Sequence, residues 1–208
     1  ARIAESELII TKRGAIYHLD LRPEELADTV IVVGDPDRVE KVSKHFDRID
    51  VKQRHREFIT HTGYIGTQRL SVMSTGIGPD NIDIAINELD ALANIDFETR
   101  EIKPAFRQLN IIRFGTSGAL QADIPVDHFV CSTHGIGLDN LLNYYAYTKT
   151  AEEQAIAAAF VEQTKLDTNI TQPYAFAGSE TLLNKFSAAF FRGMTVTCPG
   201  FYGPQGRV

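Results

Sequence analysis

Three arginines lie at boundaries between an apolar stretch of sequence and a short run of small or polar residues. Arg38 ends the stretch GDPDR, Arg56 lies in HREF, and Arg113 follows Ile112 and precedes the loop GTSG. A guanidinium does not lose its proton in a protein, so an arginine at the end of a buried strand needs an anion. The three arginines therefore predict a local anion-binding site.

Residues beside these arginines could supply the other ligands of an oxyanion. Gly34 precedes a predicted helix start, where backbone N–H groups bind anions, and Thr116 offers a hydroxyl. Each motif also has another interpretation. GDPDR fits a capped helix with a surface arginine, HREF fits polar residues that enter a strand, and Arg113 could pair with a carboxylate. Taken together, the motifs predict a site for phosphate or sulfate.

Two common phosphate-binding motifs are missing from the sequence. It contains neither GxxxxGK[ST] nor GxGxxG, which argues against a nucleotide P-loop and against a dinucleotide site.

The elements that must position these residues alternate between strands and helices. Residues 30–33 form a β-branched run typical of a strand buried on both faces, and apolar residues recur at helical spacing after it. Asp35 is the predicted N-cap of that helix, with Pro36 at its first position. Further strands are predicted at 57–65, 69–74, 109–114, 128–132 and 194–198, and further helices after residue 79 and at 152–164.

This alternation predicts an α/β domain with a mixed, largely parallel sheet. Ligands of such sheets bind outside the carboxyl ends of the strands, so the loops that follow the strands could meet at one site. Residues 95–109 are polar and contain Pro104, and they are predicted to form a surface insertion.

Composition narrows the classes of function. The 208 residues carry a formal net charge of −6, which argues against a nucleic-acid-binding protein, because such proteins present a basic surface. No apolar stretch approaches membrane-spanning length. Cys131 and Cys198 are too few for a disulfide scaffold. We therefore expect a cytoplasmic protein with reduced thiols and no membrane or nucleic-acid partner.

Six motifs, in family order, resemble the uridine phosphorylase branch of the nucleoside phosphorylase family. They are HLDL (18–21), VGDPDRVEK (33–41), HREF (55–58), STGIG (74–78), RFGTSG (113–118) and FYGPQGR (201–207). The resemblance implies an α/β, single-domain nucleoside-phosphorylase-like fold with a central mixed β-sheet flanked by helices. Residues 1–208 would form one such domain.

The resemblance also implies the residues that bind phosphate. They would be Gly34, Arg38, Arg56, Arg113 and Thr116, with Arg56 reaching the phosphate from a neighbouring subunit. Arg113 would also be one of two catalytic residues.

A second group would bind the nucleoside, namely His18, Thr116, Phe201, Gln205 and Arg207. His18 would cross from the neighbouring subunit towards the ribose 5′-hydroxyl, and Phe201 would pack beside ribose and base. Gln205 and Arg207 would bind the uracil edge, because an amide offers a donor and an acceptor to an imide. Purine-directed relatives typically use a carboxylate there, so the Gln-x-Arg pair favours a pyrimidine.

The implied reaction is the reversible phosphorolysis of uridine to uracil and ribose 1-phosphate, carried out by a pentosyltransferase. Inorganic phosphate is the co-substrate and no cofactor is implied. Arg207, the second catalytic residue, would stabilise the charge on the departing uracil. Three alternatives stay open: a purine nucleoside phosphorylase, a nucleosidase of the same fold, and a non-catalytic nucleoside-binding relative.

The sequence departs from the family pattern in two places. It ends before the family's Glu-Met-Glu segment, whose glutamate holds ribose hydroxyls, so we expect it to be part of a longer protein. The loop at residues 74–80 is one glycine shorter than in close relatives, some of which bind potassium near positions matching Glu57, Ile77 and Asp80. No other metal is implied. Shared active sites imply a homodimer or a hexamer.

Overall fold

A computed structural model of the chain describes residues 2–186 and 188–207. The chain divides into two compact units, residues 1–115 and residues 116–208, called here the N-terminal and C-terminal units.

The N-terminal unit is built on a mixed five-stranded sheet. Its elements are β1 (Thr29–Val33), α1 (Asp37–Ser43), β2 (Arg48–His55), β3 (Phe58–Ile65), β4 (Gln68–Ser74), α2 (Pro79–Asn94), β5 (Ile95–Asp96), β6 (Glu101–Ile102) and β7 (Asn110–Phe114). The strand order is β2-β3-β4-β1-β7, in which β1 is parallel to both β4 and β7, whereas β2, β3 and β4 form antiparallel hairpins. The mixed α/β sheet predicted from the sequence is confirmed.

Strand β1 lies between two apolar clusters because its side chains alternate between the faces of the sheet. Val30 and Val32 belong to a cluster that also contains Leu89 and Leu92 of α2. Val33 belongs to a second cluster, which contains Val39 of α1. A helix therefore covers each face of the sheet.

Residues 95–109, predicted as a surface insertion, contain the short antiparallel ribbon β5–β6. Arg100, in the turn of this ribbon, is buried, and its guanidinium donates to the backbone carbonyls of Ile3, Ala4 and Leu8. Phe106 is exposed. The segment is thus hydrogen-bonded to the first residues of the chain. Whether it is an insertion stays a prediction.

The C-terminal unit contains a three-stranded sheet and a longer helix. Its elements are β8 (Val130–Gly137), α3 (Ala151–Thr164), β9 (Tyr174–Ala177), α4 (Glu180–Leu183) and β10 (Phe191–Thr197). Strand β8 is central, parallel to β10 and antiparallel to β9. Helix α3 begins with a reciprocal capping box between Thr150 and Glu153, and the Glu153 carboxylate also accepts from the backbone of Ala177 in β9.

Strand β8 begins and ends later than the predicted strand at 128–132. Both cysteines are free thiols of intermediate burial. Among the residues described, no helix has the length and apolar character needed to cross a bilayer.

Candidate functional site

The carboxyl ends of three parallel strands meet at one edge of the N-terminal sheet. Val33, the last residue of β1, is in register with Ser74 of β4 and with Phe114 of β7. The residues that follow are Gly34 and Thr75, and the Thr75 amide donates to the Val33 carbonyl at 2.8 Å. The GDPDR, STGIG and RFGTSG motifs therefore lead away from the same level of the sheet, as the sequence predicted.

Gly34 lies beside the Arg113 guanidinium and the backbone of Gly76, with room for a Cβ atom in ordinary van der Waals contact. A Cβ atom added to Gly34 would lie 3.7 Å from Nη2 of Arg113 and 3.6 Å from the carbonyl oxygen of Gly76. The same guanidinium lies close to Gly115, where an added Cβ would come within 2.9 Å of Nη1 of Arg113. Arg113 therefore lies between two glycines, directly beside the loop that follows β1.

Arg113 has a like charge for a neighbour and no ion-pair partner in the described part of the chain. Its pKa is lowered, first by desolvation and second by the positive charge of Arg38. Among the described residues, its guanidinium makes one hydrogen bond, a donation of 3.3 Å to the Phe114 carbonyl. Arg38 itself has only a distant carboxylate, since its Nε lies 3.9 Å from Oδ2 of Asp35. Two guanidiniums are thus brought together with their charge largely uncompensated.

Two other arginines of the N-terminal unit are paired closely with carboxylates. Arg13 lies 2.8 Å from Glu25, and Arg107 lies 2.5 Å from Asp28. Arg113 is therefore unlike these structural arginines, and its surroundings fit a site that is completed by an anion.

Helix α1 begins at Asp37, with Pro36 immediately before it. The N-cap is therefore Pro36, and the prediction of Asp35 as N-cap is wrong by one residue. The Asp35 carboxylate nevertheless accepts a hydrogen bond of 3.0 Å from the Asp37 amide, because an aspartate side chain reaches the backbone N–H two residues ahead. This amide is consequently occupied by the protein itself. The helix has seven residues, so the anion-binding character of the edge comes from the arginines more than from the helix.

Arg56 occupies a different place from the other two arginines. It lies in the two-residue turn between β2 and β3, with a φ angle of 55°, in the left-handed region that costs a non-glycine residue free energy. The assignment of Arg56 to a shared phosphate site stays a prediction.

The loop after β4 packs tightly on this turn. Gly76 has a φ angle of 72°, and an added Cβ would come within 2.9 Å of Cγ of Glu57 and 2.6 Å of Nδ2 of Asn81. The Glu57 carbonyl also accepts from the Ser74 hydroxyl at 2.5 Å. Residues with a positive φ and no space for a Cβ are positions that glycine alone fills without strain.

The three positions considered for potassium lie in or beside this loop. Ile77 is 92% exposed, and Asp80 lies in the first turn of α2. Within residues 2–186 and 188–207, no three His, Cys, Asp or Glu side chains form a cluster that could hold a metal ion. A potassium ion near Glu57, Ile77 and Asp80 stays a prediction.

His18 is fixed by a residue that the sequence reasoning missed. Its Nδ1 lies 2.6 Å from Oε1 of Glu88 in α2, and the Glu88 carboxylate also accepts from the His18 and Leu19 amides. The His18 carbonyl accepts from Nδ1 of His55 at 3.0 Å. No local signal marks Glu88, because it lies 70 residues from His18 in sequence.

The predicted base-binding residues lie together in the C-terminal unit. The Arg207 guanidinium lies over the Phe201 ring, with Cζ 4.2 Å from the ring centroid, and its Nε donates to Oε1 of Gln205 at 3.3 Å. A 3-10 turn at Gly203–Gln205 and the left-handed Gly206 bring these side chains to one side. Phe201 is 58% exposed. Thr116 is exposed as well, and its predicted contacts with phosphate and nucleoside stay predictions.

The sequence also matches a known protein family. The model of the phosphorylase superfamily matches residues 28–207. The chain belongs to the phosphorylase superfamily. Within this superfamily, the chain is 30% identical over 197 residues to the uridine phosphorylase of Thermococcus kodakarensis, covering 95% of this chain and 60% of that protein. It is 34% identical over 136 residues to the uridine phosphorylase of Escherichia coli, covering 64% of this chain and 48% of that protein.

Solved structures of the superfamily agree with the fold. A Trypanosoma brucei nucleoside phosphorylase, described as showing uridine phosphorylase activity, superposes with a TM-score of 0.81 at 29% identity over 96% of this chain and 71% of that chain. The Vibrio fischeri uridine phosphorylase has the same fold, with a TM-score of 0.60 at 21% identity over 89% of this chain and 64% of that chain. The chain spans about half to three fifths of the length of the curated relatives named above. The nucleoside-phosphorylase-like fold predicted from the sequence is confirmed.

Proposed function

We propose that this chain carries the phosphate-binding and base-binding parts of a uridine phosphorylase, a pentosyltransferase that converts uridine and phosphate reversibly to uracil and ribose 1-phosphate. The observation that carries the proposal is the pair of guanidiniums at Arg38 and Arg113 beside Gly34, which is left without a close carboxylate. Phosphate supplies the missing charge and offers several acceptor oxygens at once. The named uridine phosphorylases similar to the chain support the same reaction.

In this reaction a phosphate oxygen forms a bond to the anomeric carbon of the ribose. The bond from that carbon to the uracil nitrogen breaks, and its electron pair leaves with the base. Positive charge grows on the sugar and negative charge on the uracil. Arg38 and Arg113 hold the nucleophile in place, and most of their contribution is proximity, because a bound phosphate no longer has to find the sugar.

Arg207 stabilises the negative charge that develops on the departing uracil. A guanidinium that donates to a carbonyl oxygen of the base binds more strongly as negative charge develops on that oxygen. The transition state is therefore stabilised more than the bound substrate, and the activation barrier falls. The contact between Arg207 and Gln205 presents both side chains to one planar ligand, and Phe201 offers a ring beside them. Gln205 offers the imide of uracil both a donor and an acceptor.

The partners in this proposal are a nucleoside, inorganic phosphate and further copies of the chain. Arg56 and His18 would be the residues that serve a neighbouring copy, in a homodimer or a hexamer. The reaction requires no cofactor, and a potassium ion near Glu57 would be structural. Nucleoside salvage in the cytoplasm is the setting in which this reaction operates.

The test is the release of uracil from uridine with and without phosphate, using the full reading frame that contains this chain. Phosphate-dependent release is the expected result, and release that needs no phosphate would identify a nucleosidase instead. Arg113→Gln should abolish the phosphate-dependent release of uracil. Arg48→Gln is the matched control, since Arg48 is an exposed arginine of the same sheet with its own carboxylate, Asp50.

A purine nucleoside phosphorylase is the second candidate. A DeoD-type purine nucleoside phosphorylase of Listeria welshimeri is 31% identical over 110 residues, covering 52% of this chain and 42% of that protein. Inosine in place of uridine distinguishes the two reactions. Faster phosphorolysis of inosine would contradict the role of Gln205 and Arg207 in pyrimidine recognition.

A further inference from the structure

The carboxylate of Glu88 holds three donors of the turn that contains His18. It lies 2.6 Å from the ring nitrogen Nδ1, 3.1 Å from the His18 amide and 2.8 Å from the Leu19 amide. The Glu88 side chain is 12% exposed and that of His18 is 31% exposed. Hydrogen bonds that involve an ionised partner and are shielded from solvent are among the stronger ones in proteins.

These contacts fix which nitrogen of the imidazole faces Glu88 as a donor. Glu88 receives two backbone N–H groups, so it acts as an acceptor, and Nδ1 must be the donor in the contact between the two side chains. With Nδ1 carrying the proton, the neutral ring has its lone pair on Nε2. No hydrogen bond engages Nε2 within the described residues, so it is left to accept one from outside.

The turn is also held from the neighbouring strand, which limits its freedom to rotate. His55 in β2 donates to the His18 carbonyl, and Gln53 in the same strand donates to the carboxylate of Asp20. The Tyr17 ring packs edge-on against both histidines, with centroid distances of 4.9 Å to His18 and 6.1 Å to His55. A ring supported on several sides presents its free nitrogen in one direction, and a ligand then does not have to order it.

We infer that Glu88 is a positioning residue, which keeps His18 in the Nδ1–H form so that Nε2 accepts a hydrogen bond from a hydroxyl of the nucleoside. The hydroxyl part of this inference rests on the proposed phosphorolysis, whereas the ring protonation does not. Glu88 itself does not touch the substrate. Removing its charge should therefore weaken nucleoside binding more than it slows the chemical step.

The first experiment measures the ring directly, by nitrogen-15 NMR of the histidine side chains at neutral pH. In the wild type, the His18 signals should show a protonated Nδ1 and an unprotonated Nε2. In Glu88→Gln the Nδ1 preference should be lost, and the His18 and Leu19 amides should exchange with solvent about tenfold faster or more, since a hydrogen bond to a charged group contributes this order. Glu88→Asp should restore part of the preference.

Asp90→Asn is the matched control. It makes the same change of carboxylate to amide on α2, at an exposed residue whose side chain accepts from Asn94 of the same helix. It should leave the His18 ring unchanged. A wild-type ring with its proton on Nε2 would overturn the inference at once, and this measurement does not depend on whether any variant folds.

The second experiment measures uridine phosphorolysis by the full reading frame. Glu88→Gln should raise KM for uridine about tenfold with a smaller effect on kcat, and it should add little to the effect of His18→Ala, because both changes remove one interaction. Fully additive effects of the two changes would overturn the inference. Absence of uracil release from the wild type would instead refute the proposed function and the hydroxyl part, while the NMR result would still decide the role of Glu88.

Discussion

Arg113 and Arg38 are neighbours of like charge. Desolvation lowers the pKa of the Arg113 guanidinium, and the positive charge of Arg38 lowers it further. An arrangement of this kind costs free energy until an anion enters it. The first prediction concerns that cost. Arg113→Gln should leave the unliganded protein as stable as the wild type or more stable, because it removes an exposed positive charge that lies beside the like charge of Arg38.

The same substitution should remove the stabilisation by phosphate. A ligand at ten times its Kd stabilises the folded state by about 1.4 kcal/mol, and this gain should vanish in Arg113→Gln and persist in Arg48→Gln. Thermal unfolding with and without phosphate measures both effects. A wild type whose unfolding temperature does not respond to phosphate would contradict the site.

Arg207 should matter for the rate more than for binding. Arg207→Ala should lower kcat for uridine by about 10²- to 10³-fold, the range found when a donor to a developing negative charge is removed. Arg192→Gln, at an exposed arginine of β10 in the same unit, should have no such effect. An unchanged kcat for Arg207→Ala would exclude it from leaving-group stabilisation.

Gly76→Ala tests the close packing of the loop after β4. The new Cβ would approach Asn81 and Glu57 within 2.6 and 2.9 Å, so we expect a loss of stability of at least about 1 kcal/mol beyond the cost of the positive φ. Gly14→Ala is a close control, because Gly14 has a φ of 74° with nothing within 4 Å of an added Cβ. Equal losses in urea unfolding of the two variants would show that the loop has room for a side chain.

Glu25 should make the stability of the N-terminal unit depend on pH. Its burial alone would raise the pKa, but hydrogen bonds and charges from Arg13 and Arg22 outweigh burial and lower the pKa from 4.5 to about 2. A lowered folded-state pKa stabilises the fold above the unfolded-state pKa, and the stabilisation is lost as the pH falls from about 5 towards 2. The full contribution is of the order of 3 kcal/mol at neutral pH.

Glu25→Gln isolates that contribution. The difference in unfolding free energy between wild type and Glu25→Gln should be largest at pH 7 and should shrink below pH 4. Glu24→Gln, at a more exposed neighbour that also contacts Arg22, should change stability by less than about 0.5 kcal/mol at any pH. A difference for Glu25→Gln that is constant with pH would show that the arginines do not lower its pKa.

The parts of the fold that could be predicted are those whose signal is local. The run at β1, the turn at Gly34 and the strand that contains Arg113 each have a signal within a few residues. Parallel pairing then brings the ends of the two strands together. Strand β2 was missed because its half-buried face becomes polar after Val51. Gln53 and His55 occupy that face, where they bind the turn containing His18, so the usual apolar alternation is interrupted by contacts that the sequence alone does not reveal.

The shared register of β1, β4 and β7 sets a limit on how this chain can vary. Val33 is level with both Ser74 and Phe114, and each residue along a strand advances the backbone by about 3.3 Å. One residue gained or lost inside any of the three strands would displace one loop by that distance and turn its side chains to the opposite face. Changes of length are therefore compatible with the arginine pair only in segments outside these strands, such as residues 95–109.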